Sequence, residues 1–314
     1  MTISNDSSAP LVVIAGITGL QGGSVARALA ESDKPYRIRG LTRDPSKPTA
    51  QAFAGQGVQL VGVSLTADNV AGVAKAFQGA DIVFLVTNFN EHMDKQREIS
   101  EGKMMVDVAK EAGVKLLIWS GLESLSALSG GKFSRVEFFD AKSDITEYAK
   151  QSGVPLVVVQ AGYYATNIFE GSYALKKQPD GSYVFGLPVP ATTSVPVIDV
   201  AHDYGLYVRA AVENPALGAG SEVQSGTLIS FGEMVAKLSE VSGKKITYVQ
   251  MTREVFIEAT GMPEYGPMLA DMFQAFEVHG YYGPRPTTRT DLLAREPRSW
   301  ADFLDATAVK DLLP

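Results

Sequence analysis

The sequence predicts an α/β fold, a doubly wound parallel sheet with a smaller mixed α/β C-terminal lobe. Three observations carry that expectation. Short apolar runs alternate with helical stretches over residues 11–160. The runs are continuously apolar, as strands buried on both faces must be. A glycine-rich turn stands where the first run passes into the first helical stretch, the strand–turn–helix context of a Rossmann-type dinucleotide site.

The apolar runs fall at residues 11–15, 36–41, 58–63, 81–86, 115–119 and 155–160. Helical periodicity lies between them, near 22–32, 48–54, 67–77, 93–112 and 133–151. Gly113 and Gly153 each follow a helical run and fit helix C-caps. After residue 160 the rhythm breaks. Pro179-Asp180-Gly181-Ser182 is a turn signal between 173–175 and 183–185, which predicts a hairpin. Pro188, Pro190 and Pro196 mark extended chain. Helices are expected near 200–212, 231–241 and 253–260, and also over 264–282 and 299–312, with a strand at 246–250. The expected organisation is a flexible tail (1–10), a nucleotide-binding domain (11–160) and a smaller substrate or partner lobe (161–314). Some of that lobe, about 190–230, returns to the first domain.

Composition narrows the function classes. The chain has 314 residues, 20% of them charged, with a net charge of −7. That acidic balance argues against direct nucleic-acid or anionic-membrane binding, since both need basic faces. It has no cysteine, which excludes disulfides, thiolate catalysis and sulfur-ligated metals. No apolar run approaches the roughly 20 residues of a membrane span, and residues 1–10 lack the pattern of a signal peptide. The expected compartment is the cytoplasm, or the nucleus for a regulator. His92, His202 and His279 show no metal-ligand spacing, so no metal site is expected.

The turn reads Gly16-Ile17-Thr18-Gly19-Leu20-Gln21-Gly22. Gly16 permits a tight turn, Gly19 lets backbone approach a pyrophosphate, and Gly22 lets helix and strand pack closely. Free N–H groups and the helix dipole at the start of the next helix favour a diphosphate. The second run ends Leu41-Thr42-Arg43, where an NAD enzyme would place a carboxylate for the ribose 2′-hydroxyl. Arg43, with Lys47 one turn on, suits a 2′-phosphate instead, so the expected cofactor is NADP(H). Asp44 stands one position late for ribose.

Several segments together resemble the NmrA-like family, an atypical branch of the short-chain dehydrogenases. They are Gly16-Ile-Thr-Gly-Leu-Gln-Gly-Gly-Ser-Val-Ala-Arg27, Leu41-Thr-Arg-Asp-Pro45, Val83-Phe-Leu-Val-Thr-Asn-Phe89, Ile118-Trp-Ser-Gly-Leu-Glu123, Phe138-Phe-Asp-Ala-Lys142, Tyr164-Ala-Thr-Asn167 and Pro179-Asp-Gly-Ser-Tyr183. The resemblance implies that Thr87, Asn88 and Phe89 line the ribose and nicotinamide side, that Lys142 lies near the nicotinamide ribose, and that Tyr164 and Asn167 cover the nicotinamide. Two departures stand out. Val63-Ser64 replaces an acidic–polar pair that often meets the adenine, and Ser100 replaces a lysine of the animal relative.

Ordinary short-chain dehydrogenases use Tyr-x-x-x-Lys, in which the phenol gives up a proton as hydride is delivered. Here the spacing is Phe138-x-x-x-Lys142, and phenylalanine has no proton to give. Three residues are candidates to replace it. Lys142 is read either as the acid or as a ribose ligand. Tyr163 (or Tyr164) reads as a phenol aimed into the site or as packing. Ser120 reads as a substrate-orienting hydroxyl or a turn cap. Glu91 to Glu98 is a mixed-charge run, expected to be a solvated helix face. Met268, Met272, Phe273 and Phe276 form a helical stripe for core or a homodimer contact.

Two functions follow. One is an NADPH-dependent oxidoreductase acting on a small carbonyl, enone or imine. The other is a non-catalytic sensor that reads the NADPH/NADP ratio and acts on a regulatory protein.

Overall fold

In the computed structural model, which describes residues 3–313, the first half folds with one regular element per expected segment. These are β1 (Leu11–Ile14), α1 (Leu20–Ala30), β2 (Arg37–Thr42), α2 (Pro48–Ala54), β3 (Gln59–Gly62), α3 (Val70–Phe77), β4 (Ile82–Leu85), α4 (Lys95–Glu111), β5 (Leu116–Trp119), the one-turn α5 (Leu125–Leu128), α6 (Glu137–Ser152) and β6 (Leu156–Gln160). The second half holds β7 (Tyr163–Tyr164), β8 (Lys176–Lys177), β9 (Tyr183–Leu187), β10 (Ser194–Ile198), α7 (Val200–Glu213), β11 (Glu222–Gln224), β12 (Thr227–Ser230), α8 (Phe231–Ser242), β13 (Ile246–Gln250), α9 (Arg253–Thr260), α10 (Gly266–His279), α11 (Trp300–Ala306) and α12 (Val309–Leu312).

The central sheet is parallel, in the order β11-β6-β5-β4-β1-β2-β3. The chain winds outward from β1 to β3, then restarts on the other side at β4. The crevice for a ligand therefore opens beyond the C-terminal ends of β1 and β4, where the strand order reverses. β1, β4 and β6 are buried at every position. Two apolar layers cover the sheet, one under α1, α2 and α7 and one under α3, α4 and α6.

Two small sheets build the second lobe, β12-β10-β7 and β13-β9-β8. The hairpin forms with its first strand just after the expected 173–175, pairing Lys176 with Val184 and Lys177 with Tyr183. Its longer strand also pairs in parallel with β13, a long-range pairing with no local sequence signal. Residues 299–312 break into two helices because Thr307 turns extended, with φ −108° and ψ 143°. The stripe on α10 faces the lobe core, with Met272, Phe273 and Phe276 buried. The segment expected as a loose tail is tied down from residue 3. Ile3 bridges Tyr36, and the Ser4 N–H donates to the Tyr36 carbonyl at 2.7 Å. Met1, Thr2 and Pro314 lie outside the described residues.

The chain after β10 returns to the first half twice. α7 packs along α1, and β11 adds a seventh strand beside β6. The helix contact is backbone-close. A Cβ on Gly205 would lie 2.1 Å from the Ser24 carbonyl oxygen, and the Gly205 N–H donates to Ser24 Oγ at 2.9 Å. Gly205→Ala must push the helices apart, an overpacking cost of about 1–3 kcal/mol. Urea unfolding should show a lower midpoint with unchanged slope; an unchanged midpoint would show that α7 adjusts freely.

Candidate active site

The phosphate loop is built by what its glycines lack. Gly16 sits at φ +64°, where side chains other than glycine are strained. A Cβ on Gly22 would lie 2.3 Å from the Gly16 carbonyl oxygen, so α1 can start against β1 only with glycine there. Thr18, Gly19 and Leu20 are exposed and Ile17 is buried. Gly19 precedes α1 with no side chain capping the helix, which leaves the helix start open to an anion. Gln21 donates to the Tyr164 hydroxyl at 2.8 Å, tying the loop to β7. Its Oε1 is buried without a partner among the described residues.

Arg43 stands exposed beyond β2, with Lys47 exposed just before α2. The Arg43 guanidinium pairs with Glu91, at 2.5 Å, on the turn after β4. This bridge spans the strands on either side of β1. Asp44 is spent locally, accepting from the Ser46 N–H at 2.9 Å and hydroxyl at 2.6 Å. Only its Oδ1 is engaged in this way.

Beyond β4, Thr87 is half-buried, Asn88 exposed and Phe89 buried. Phe89 packs against Phe138, with ring centroids 5.9 Å apart, so an apolar ring fills the place of the usual phenol. Lys142, one turn on in α6, reaches across to β4. Its Nζ donates to Thr87 Oγ1 at 2.8 Å and to the Thr87 carbonyl at 3.2 Å, and it pairs with Glu98 on α4. Lys142 keeps 13% of its side chain exposed and Glu98 3%. Thr87 also donates its hydroxyl to Glu98 Oε1, while Glu98 Oε2 has no partner among the described residues. Burial pulls the Lys142 ammonium below the ordinary lysine range, and the Glu98 carboxylate opposes it. The Trp119 ring lies 5.9 Å from Nζ.

Glu98 corrects the expectation of a solvated face. It shares a helix face with Gly102, Met105 and Ala109, all buried. A Cβ on Gly102 would lie 2.4 Å from Ile145 Cδ1, so this glycine lets α4 approach α6. A carboxylate in register with an apolar stripe was the sequence signal for a buried charge. The Glu91 end of the run is partly exposed and reaches Arg43.

Two other candidates are buried. Tyr163 is 2% exposed and packs edge-on to Phe231 at 5.7 Å, inside the core of the second lobe. Burial raises its phenol well above the ordinary range, with Tyr173 beside it. Its neighbour Tyr164 is the one that meets the phosphate loop, because successive strand residues face opposite ways. Ser120 is buried against Tyr204, whose hydroxyl donates to the Val159 carbonyl at 3.0 Å. Tyr163 and Ser120 are each 2% exposed. Asn167 lies half-buried in the turn Ala165–Ile168 after β7. Sequence reasoning also missed a cluster beyond β5 and β6. There Gln160 donates to Glu123 at 2.7 Å and Arg285 pairs with Glu123 and Glu222. Burial pushes the Glu123 carboxyl up.

With this geometry in place, comparison with known proteins fixes the lineage. The family model described as NmrA-like family matches residues 8–304. The chain belongs to the NmrA-like family. Among NmrA-like relatives, the oxidoreductase malD of Malbranchea aurantiaca is 31% identical over 271 residues, covering 82% of this chain and 80% of malD. FrzB of Cladobotryum sp, also named an NmrA-like oxidoreductase, is 28% identical over 88% of this chain and 87% of its own length. NmrA itself, a negative transcriptional regulator solved with NADP, superposes with a TM-score of 0.72 at 22% identity, covering 96% and 91% of the two chains. The NADPH-dependent quinone oxidoreductase QOR2 of Escherichia coli, solved with NADPH, gives 0.75 at 21% identity, covering 94% and 99%. These two structures attest the NmrA-like fold.

Removing one member of a buried ion pair strands the other. Lys142→Met should therefore cost about 3–5 kcal/mol of stability, and Lys142→Met/Glu98→Leu should regain most of it. Equal unfolding midpoints for the single and double variants would show that Glu98 is not stranded.

Proposed function

We propose that this NmrA-like chain binds NADP(H) at the switch-point crevice and is an NADPH-dependent oxidoreductase of a small carbonyl, enone or imine. The observation that carries the reading is the placement of a buried ammonium, Lys142, beside the end of β4. The residues present fit the dinucleotide. The positive-φ Gly16 and the uncapped start of α1 make a cradle for a diphosphate. Arg43 and Lys47 would take the 2′-phosphate, and Asp44, one position late for the ribose, turns its Oδ1 to Ser46. Thr87, Asn88, Phe89, Tyr164 and Asn167 would border the ribose and nicotinamide.

When bound, the reduced nicotinamide supplies a hydride. The chain's own residues supply the rest. Phe138 and Phe89 present apolar surface that keeps water from the reacting face. Lys142 is read as the group that gives a proton, since Tyr163 and Ser120 are each 2% exposed and the Tyr164 hydroxyl is held by Gln21. The names of malD and FrzB as oxidoreductases support this class. The alternative is a sensor that acts on a regulatory protein without turnover. It is favoured by one observation, the proton-free ring of Phe138 packed on Phe89.

The test is NADPH consumption by pure protein against aldehydes, quinones, enones and imines. Turnover of at least one class is expected. NADPH binding without turnover of any would leave the sensor. Arg43→Ala should weaken NADP binding by about 1–3 kcal/mol and NAD binding far less. A parent protein with equal affinity for both cofactors would refute the 2′-phosphate role.

A further inference from the structure

The reductase reading leaves Glu98 unexplained, and a buried carboxylate needs a reason. Taking it out of water costs several kcal/mol even when paired. A structural tie between α4 and α6 would be cheaper with apolar side chains, as Gly102 and Ile145 show one turn away. Elsewhere the same helices are joined at the surface by Lys95 and Asp144, 3.1 Å apart. Glu98 is instead aimed at the one residue that the reading makes a proton donor. Its Oε1 takes both the Lys142 ammonium and the Thr87 hydroxyl, and Thr87 in turn accepts from Lys142 at 2.8 Å. The three side chains close a triangle at the end of β4.

We propose that Glu98 is a positioning residue of this site, which keeps Lys142 charged and aimed from the end of β4, so that a lysine–carboxylate pair serves as proton source in place of the missing phenol. The inference rests on the reductase reading for the word source, and on the triangle alone for the hold on Lys142. The balance of the step is simple. With the bound cofactor supplying hydride to the substrate carbon, the electron pair of the double bond would move to oxygen or nitrogen, and Lys142 Nζ would give that atom its proton. Lys142 is left as a neutral amine beside the Glu98 carboxylate, and a solvent proton restores the ammonium after product leaves. Without Glu98 the buried amine has no counter-charge. The other charged groups at the α4–α6 contact are engaged elsewhere, Lys95 with Asp144 and Asp140 with Ser124 at 2.9 Å. Trp119 presents a ring and Thr87 a hydroxyl. Burial then favours the neutral amine, which cannot donate.

The experiment reads Lys142 directly, on full-length protein with 13C at the lysine Cε, the signal being assigned by its loss in Lys142→Arg. In the parent the resonance should remain that of the ammonium through neutral pH. In Glu98→Gln its titration midpoint should fall by about one to three pH units, and in Glu98→Asp by less. With a substrate from the turnover panel, the basic limb of the kcat/KM profile should move down in parallel, and activity should return as pH is lowered. A purely structural tie would lower kcat/KM equally at every pH, and that result overturns the proposal. So does a midpoint unchanged in folded Glu98→Gln, or a parent lysine already neutral at pH 7. If Glu98→Gln does not fold, Glu98→Asp carries the decision, and a midpoint equal to the parent's counts against the proposal. A panel without turnover but with a Glu98-dependent midpoint retires the reductase reading and keeps the hold on Lys142. Turnover with a Glu98-independent midpoint does the reverse.

Discussion

The arrangement at the top of the sheet depends on how close α1 comes to β1. That approach is set by an absence, the side chain that Gly22 does not have, in a space where a Cβ would meet three backbone atoms within 3 Å. On its outer side α1 is held by α7 through Gly205 at a similar spacing. A helix gripped by backbone on both sides cannot slide or roll. Its first turn, and the N–H groups it presents, are thereby fixed relative to the ends of β1 and β4. Everything else at the crevice, from Gln21 on Tyr164 to Arg43 on Glu91, is placed around that rigid point.

The second organising feature is polar. Close-packed interiors exclude isolated charge, so Lys142, Glu98 and Thr87 persist only as a closed set. Here packing serves electrostatics, because Gly102 is what allows the carboxylate on α4 to come within reach of α6. Phe138 and the buried Glu98–Lys142 pair stand on the same helix-bounded edge of the crevice, one apolar and one charged.

The first half of the fold was legible because each of its elements is specified locally. Apolar runs of strand length, helical periodicity and Gly16 to Gly22 all act over a few residues, and the sheet order follows from them. The second half was less so. The pairing of β13 with β9 and the return of β11 to β6 join residues about 60 apart, and nothing local marks them. At the site, the loop, Arg43 and Lys142 could be read from type and position. Tyr163 against Tyr164 could not, since one residue of register decides which faces the crevice. Glu98 was hidden by its neighbours, being one acid among Asp94, Lys95 and Arg97. Only its place on the stripe with Gly102, Met105 and Ala109 tells it apart.

The seventh strand has a consequence for how the molecule is made. β6 ends at Gln160, but the strand that covers its outer edge begins at Glu222. During synthesis the nascent sheet must wait for more than one-sixth of the chain with an apolar, hydrogen-bonding edge uncovered. α1, which ends at Ala30, waits longer still for α7, which begins at Val200. An open edge of this kind is a template for pairing with other chains. A fragment cut at residue 160 would lack both its closing strand and the helix that packs along α1, and the open edge should make it prone to aggregation.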